Sequence, residues 1–339
     1  MSPARLRRTL VVAGIALAAT VPWFFDFSIQ GLATTAACTA LLALSLVLLT
    51  GMVGQVSFCQ FSFAALGAFT VGSLVVGHNV SFWLAAPLGM AFAGVGGVLV
   101  GIPALRLRGL LLAVLTVAVA LFVDVSLLSP GTWDGFTGGS SAWTNIPHPS
   151  MFGHELDSYQ LFLFTFAVFL VAALLVWNLR QGKTGRVLRA VRDSEVASAT
   201  LGLNVAGWKL AAFGVSAAMA GLAGALMAVA ASSAAGGSQS SYSFQYSVAL
   251  VATITVFGSS SIFAAAVTGF FIVFGTWLLD LTPLSHQWFN LVLGGILIVQ
   301  LLFSPDGAVV KTERDVVHLL HQLAAKRRAA PAPPVSEAA

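Results

Sequence analysis

Charge is what this chain has least of. Asp, Glu, Lys and Arg make up 8% of its 339 residues while 58% are hydrophobic; an ordinary soluble domain carries roughly 25% charged residues. A water-soluble globular fold is excluded. Cysteine is almost as scarce: Cys38 and Cys59 both sit inside apolar runs, where they are small buried hydrophobes rather than a disulfide framework or a metal site. The six histidines (His78, His148, His154, His286, His318 and His321) fall in polar stretches or the tail, so neither metal-ligand spacing nor a nucleophile with its partner is present inside an apolar run. Gly182-Lys183-Thr184 ends like a phosphate-binding loop, but that pattern needs a glycine where Trp177 stands. The chain therefore carries no ATP site of its own. Asp26, Asp124 and Asp280 lie near the ends of apolar runs and none falls mid-run, which leaves ion-coupled transport without a seat.

What the chain has in abundance is apolar segments of membrane length. Crossing the hydrocarbon core takes about 20 apolar residues, and such runs are read at 10–25, 29–50, 56–76, 82–105, 110–128, 159–178, 209–231, 244–258, 262–279 and 288–303. The expected fold class is an all-α polytopic membrane protein of about ten transmembrane helices. Ala16-Leu17-Ala18 imitates a signal-peptidase site, but the apolar run continues to Phe25 and reads better as a first span. All sixteen basic residues fall in four groups, at 5–8, 106–108, 180–209 and 311–328. Each group is separated from the next by an even number of spans, so all sixteen share one side, and the positive-inside rule makes that side, with both termini, cytoplasmic. The expected organisation is a transmembrane domain over 1–310 with an inward segment at 180–208 and an outward loop at 129–158. A cytoplasmic tail follows over 311–339; its end, AAPAPPVSEAA, has a disordered composition.

Within the inward segment, residues 184–201 have the periodicity of an amphipathic helix. Val187, Leu188 and Val191 mark one stripe, and Arg186, Arg189 and Arg192 another. Arg189 with Asp193, and Arg192 with Glu195, stand at helical neighbour spacing, and Gly202 suits a left-handed cap. The pattern fits either a plain basic loop or a helix presented to a cytoplasmic motor. Gln55, Ser57 and Gln60 follow a glycine-broken helix start and need partners inside the bilayer, across a translocation path or between helices; Thr116 can also bond to its own helix. Ala93, Gly97 and Gly101, and Ala220, Gly224 and Ala228, follow the small-xxx-small rule for close helix packing.

The stretch Gly185-Arg186-Val187-Leu188-Arg189-Ala190-Val191-Arg192-Asp193-Ser194-Glu195, followed by Leu201-Gly202-Leu203-Asn204-Val205 and Lys209, resembles the cytoplasmic signature of LivM-like permeases of Liv-type branched-chain amino-acid ABC transporters. Gly54, Gln55, Ser57, Phe63 and Gly67 are similar to that family's glycine-glutamine-x-serine segment. Arg106-Leu107-Arg108-Gly109 with Thr116 resembles its next motif, and Thr137-Gly138-Gly139-Ser140 with Ile146-Pro147 its external loop. The chain departs from the family at Cys59-Gln60-Phe61, Gly258-Ser259 and Pro305-Asp306-Gly307.

The resemblance implies a multi-pass permease subunit in a prokaryotic plasma (inner) membrane that itself binds no cofactor, ATP being used by partner subunits. The implied partners are a paralogous LivH-like permease, two cytoplasmic ABC ATPase subunits, an extracytoplasmic solute-binding protein and the lipid bilayer, with no nucleic acid. It further implies a path for branched-chain or related amino acids near Gln55, Ser57, Gln60 and Thr116, and ATPase coupling through Arg186, Arg189, Arg192, Asp193, Glu195 and Gly202. Other amino acids, urea and short amides stay open as cargo. The competing class is an ion-coupled secondary transporter of small polar solutes.

The topology has a direct test. Single cysteines at Ser141 and Asp157 should be labelled by an impermeant thiol reagent in intact cells, and cysteines at Ser194 and Ser336 should not. Labelling of position 194 from outside would overturn the orientation.

Overall fold

The computed structural model describes residues 27–107, 109–128, 133–138, 142–151, 154–235 and 242–281, with isolated positions at 20, 22, 291, 294–296, 298, 299 and 302. The tail at 311–339 lies outside the described residues, and the expected spans at 10–25 and 288–303 do so except at those isolated positions. In chain order the helices are α1 (Phe27–Leu46), α2 (Gln60–Gly72), α3 (Phe82–Ala104), α4 (Leu110–Phe122), the short α5 (Asp134–Thr137), α6 (Ser158–Gln181), α7 (Lys183–Asp193), α8 (Glu195–Thr200), α9 (Val205–Ala230), α10 (Phe244–Phe257) and α11 (Ile262–Asp280). Three of them run on into wide π-helical turns, α1 through Val47–Val53, α2 through Ser73–Gly77 and α4 through Val123–Leu127. Among the described residues seven helices are long and apolar enough to cross a membrane. α10 is apolar but has 14 residues, about 21 Å of helix against a hydrocarbon core of about 30 Å.

α1 is the axle of the molecule. It is apolar on every side, as a fully enclosed helix must be, and Leu41, Leu42, Leu44, Leu46 and Leu49 are all inaccessible. α11, α6 and α9 pack around it, and α9 in turn carries α3 and α2. Threonine hydroxyls of α1 bond back to their own backbone, Thr34 donating to the Gln30 carbonyl (2.9 Å) and Thr39 to that of Thr35 (2.8 Å), which removes the cost of a bare polar group in hydrocarbon.

Small residues set the helix spacing, as their i, i+4 pattern predicts. A Cβ on Gly224 (α9) would fall on the carbonyl oxygen of Ala64 (α2), and one on Gly97 (α3) would collide with the Ala217 methyl group on α9. Gly67, Gly89 and Gly221 meet where α2, α3 and α9 converge: a Cβ on Gly89 would lie 2.9 Å from the Gly67 oxygen. With no apolar driving force between helices in lipid, this close backbone contact is what dispersion attraction can use.

One span differs from its sequence-based expectation. Residues 56–59 are not helical, and α2 starts at Gln60. The wide turn of α1 ends at Gly54, left-handed at φ 75°, and the chain runs without helical pairing to Cys59. Other helices satisfy part of this stretch and of the helix start that follows it, Thr116 Oγ1 accepting from the Phe58 N–H (3.2 Å) and Ser247 Oγ from that of Phe61 in the first turn of α2 (3.2 Å).

Loops gather at two opposite ends. At one lie the Gly51–Gly54 turn, the 258–261 turn, Arg180 and α7, joined by Arg192 donating to the Gly51 carbonyl and Arg180 to that of Ser260, both at 2.6 Å. At the other, β1 (Trp143–Thr144) pairs antiparallel with β4 (Ser233–Ala234), and β2 (Ser150–Met151) with β3 (His154–Glu155). The Trp143 ring covers Gly72 and Gly77, and the Trp83 indole donates to the Ser150 carbonyl (2.9 Å). Asp124 closes this end, its Oδ2 accepting from the first N–H of α10, that of Phe244 (3.2 Å).

Glycine contacts predict a stability contrast. Gly224→Ala forces a methyl group into the Ala64 carbonyl and should cost about 1–3 kcal/mol by overpacking. Gly31→Ala, in a helix with nothing within 4 Å of the new Cβ, should be neutral or slightly stabilising. Thermal unfolding of the two detergent-purified variants should show a lower Tm only for Gly224→Ala.

Candidate functional site

The segment at 183–200 is built from two helices at an angle. In α7, Gly185, Leu188 and Val191 are buried while Lys183, Arg186 and Arg192 are exposed. Gly185 is required for its close approach, since a Cβ there would strike the carbonyl oxygen of Arg180 at the end of α6. Ser194 (φ −157°, ψ 112°) breaks the helix and caps α8 by accepting from the Ala197 N–H (3.2 Å). Gly202 adopts φ 79°, the left-handed cap expected from the sequence, and Asn204 Oδ1 accepts from the Gly207 N–H (2.9 Å) to start α9.

The expected pairing of Arg189 with Asp193 and of Arg192 with Glu195 is not what the arginines do. Arg189 donates from Nε to the Gly185 carbonyl (3.1 Å) and from its guanidinium to the Arg180 carbonyl (3.2 Å). Arg192 reaches Gly51, and Arg180 reaches Ser260. Arg189 through the Arg180 carbonyl and Arg192 through that of Gly51 thus meet helix C-terminal turns, where unsatisfied oxygens and the negative end of the dipole favour positive charge, while Arg180 reaches the turn before α11. The break at Ser194 swings Glu195 off the Arg192 side, and Glu195 Oε1 instead accepts from Lys209 Nζ at 2.5 Å. The Lys209 side chain is 4% exposed and that of Glu195 27%. The ammonium sits in the first turn of α9, where the helix dipole disfavours it, so the carboxylate compensates both the burial and the dipole. Val196 and Leu201 are left 68% and 79% exposed beside a shallow groove lined by Glu195, Val196, Ala199, Thr200 and Val205.

The four residues expected along the path meet around the unwound stretch 54–59. Gln60 is fully enclosed: its Nε2 donates to Ser216 Oγ and its Oε1 accepts from Ser45 Oγ, both at 3.1 Å, while Ser216 donates to the Ser45 carbonyl (2.8 Å). Thr116 Oγ1 donates to the Ala113 carbonyl (2.9 Å) as well as accepting from Phe58. Ser57 Oγ lies 3.2 Å from Cys59 Sγ. Gln55 is 6% exposed, and its amide oxygen has no hydrogen-bond partner among the described residues. Sequence reasoning missed Ser45, Ser216 and Ser247, lone serines in apolar helices with no signal of their own. It also missed Gly51 and Gly54 as the receptors of Arg192, although both stand in the GMVGQVSF stretch that carries the resemblance.

At the opposite end Thr137 Oγ1 donates to the Trp133 carbonyl (3.1 Å), and Gly138 closes the turn at φ 78° with its α-carbon against Ala142. Trp143 Nε1 donates to the Phe136 carbonyl (2.8 Å). Gly139 and Ser140 lie outside the described residues. Among the described residues no group of His, Cys, Asp and Glu stands close enough to hold a metal ion.

A family described as branched-chain amino acid transport system, permease component, matches residues 28–301. The high-affinity branched-chain amino acid transport system permease protein LivM of Escherichia coli (strain K12) is 29% identical over 330 residues, covering 90% of this chain and 76% of that protein. Its Salmonella typhimurium (strain LT2) counterpart is 28% identical with the same coverage. No solved structure matches the chain.

The Lys209–Glu195 pair generates a prediction. Glu195→Gln leaves a buried ammonium without its counter-charge and should destabilise the protein by about 1–3 kcal/mol. Adding Lys209→Met should recover most of that loss. A denaturation cycle over the wild type, both single variants and the double variant should therefore show strong non-additivity, and simple additivity would mean the pair is energetically idle.

Proposed function

The chain belongs to the family of permease components of branched-chain amino acid transport systems, and from that premise we propose that it is one membrane subunit of an ATP-driven importer of branched-chain amino acids. A LivH-like paralogue supplies the other half of the path. Two cytoplasmic ATPases use the ATP, and an extracytoplasmic binding protein brings the substrate to the end capped by Trp143 and the β1–β4 pair. The basic end, with α7 and α8, faces the cytoplasm, where positive charge is retained.

The observation that carries the reading is the construction of the segment at 183–200. Its arginines are anchored in helix-end carbonyls and its Glu195 in Lys209, while Val196 and Leu201 project unburied. A plain basic loop has no need of side chains anchored to the spans on one face and exposed apolar side chains on the other. A docking helix needs both: apolar area for the motor to grip and rigid attachment so that motion is transmitted. Arg186 and Asp193 lie on the exposed face and belong to the contact. Of the path candidates, Gln55 keeps an unused acceptor and faces the cargo, whereas Ser57, Gln60 and Thr116 hold the unwound stretch in place.

In liposomes containing this chain, a paralogous permease, two ATPases and the binding protein, branched-chain amino-acid uptake should need ATP and persist when proton and sodium gradients are collapsed. Gly202→Val strains a residue at φ 79° by about 1 kcal/mol or more and should lower uptake while leaving the protein in the membrane. Gradient-driven uptake by this chain alone would restore the ion-coupled alternative.

A further inference from the structure

Besides Arg189, which ties α7 back to the end of α6, two anchors hold the 183–200 segment to the membrane helices, and both lead to one place. Arg192 donates to the Gly51 carbonyl at 2.6 Å, and its side chain fills the space where Gly54 lacks a Cβ: an added carbon would lie 2.9 Å from Arg192 Cγ. Gly54 is therefore glycine for its φ of 75° and for the arginine stem beside it. From there Thr50 Oγ1 donates to the Gln55 carbonyl (3.2 Å), the Gln55 N–H donates to Leu49 (3.3 Å), and the chain runs unwound to Gln60. Around Gln60, Ser45 of α1 and Ser216 of α9 bond its carboxamide, while Thr116 of α4 and Ser247 of α10 accept from the neighbouring Phe58 and Phe61 N–H groups. The second anchor, Glu195 to Lys209, grips α9, which contributes Ser216 near its middle.

We propose that Arg192 is a positioning residue through which movement of the α7–α8 segment reaches the hydrogen-bond junction at Gln60, with the unwound stretch 54–59 as the connecting rod. The inference rests on the coupling role given to α7 and α8. Displacing that segment pulls Gly51 and Gly54 through Arg192 while Lys209 carries α9 with it, so the two anchors shear Gln60 against Ser216 and Ser45. The bonds at the junction suit such a change. Those that the Gln60 side chain and the Phe58 and Phe61 N–H groups make to hydroxyls are neutral bonds of 3.1–3.2 Å, exchanged more easily than a helical ladder or a charge-assisted pair, and Ser216 and Ser45 share a shorter one of 2.8 Å. The unwound stretch has no ladder to break. The unpartnered amide oxygen of Gln55 is a group that a second arrangement can satisfy, which biases the junction toward having two states.

The test uses the assembled transporter and reads uptake per ATP hydrolysed, a ratio that a plain loss of folded protein does not alter. Arg192→Ala should lower that ratio at least tenfold. Arg192→Lys should restore most of it, because only one N–H bond to Gly51 is in use and an ammonium can make it. In the wild-type complex, amide exchange across residues 54–61 should change between the nucleotide-free and ATP-bound states; this arm decides the matter if Arg192→Ala fails to assemble. An unaltered ratio in Arg192→Ala, or exchange indifferent to nucleotide, overturns the relay. If the wild type is ATP-driven, either result sinks the relay alone; if the wild type transports without its ATPases, the coupling reading falls with it.

Discussion

In hydrocarbon a backbone N–H has no water to fall back on, and the architecture is arranged around that fact. Regular helices satisfy themselves, so the demanding places are the ends and the breaks. The unwound stretch 54–59 is such a break, set among enclosed helices; Thr116 supplies it with an acceptor at Phe58, and Ser247 does the same for Phe61 in the first turn of α2. The enclosed carboxamide of Gln60 links α2 to α1 and α9 by the same logic. Removing an acceptor here would strand a donor where nothing replaces it. That is why isolated hydroxyls in otherwise apolar helices carry structural weight.

The helix C-termini pose the mirror problem, bare carbonyls and a negative dipole end. Arg189 and Arg192 answer it from one short segment by donating to the carbonyls of Arg180 and Gly51, and Arg180 ties in the turn before α11 by donating to that of Ser260. This solution has a mechanical by-product, because a segment that satisfies the ends of several spans is also fastened to them. The basic end therefore behaves as one plate into which α1, α6, α9 and the α10–α11 turn are set. Its exposed face, with Arg186, Asp193, Val196 and Leu201, is free to meet a motor.

Packing between the spans relies on absence of side chain. The oxygen of Ala64 occupies the space that a Gly224 Cβ would need, and the backbone of Ala36 and Ala40 in α1 lies where one on Gly269 of α11 would be. Contacts this close make helices slide or rotate as bodies rather than deform. Displacement at one end then travels along α9 instead of being absorbed within it.

Hydropathy and basic-residue spacing are one-dimensional quantities, and what depends on them alone was legible in the sequence: the membrane class, the described spans to within a few residues and the left-handed Gly202; the single amphipathic helix expected over 184–201 is instead two helices, broken at Ser194. The small-residue pattern announced close packing because i, i+4 spacing places Gly97, Gly101, Ala220 and Gly224 on faces of their own helices. Sequence could not say which partner each polar group would take. Arg192 had Glu195 three residues away, yet the break at Ser194 separated them, and the carbonyl of Gly51, 141 residues distant, was the better partner once α1 ended beside it. Gln60 required an acceptor and a donor inside the membrane, but that these would be Ser216 and Ser45 depended on α1, α2 and α9 meeting at that depth. A lone serine in an apolar helix looks the same whether it bonds to its own backbone or bridges two spans; only the packing of the helices decided which.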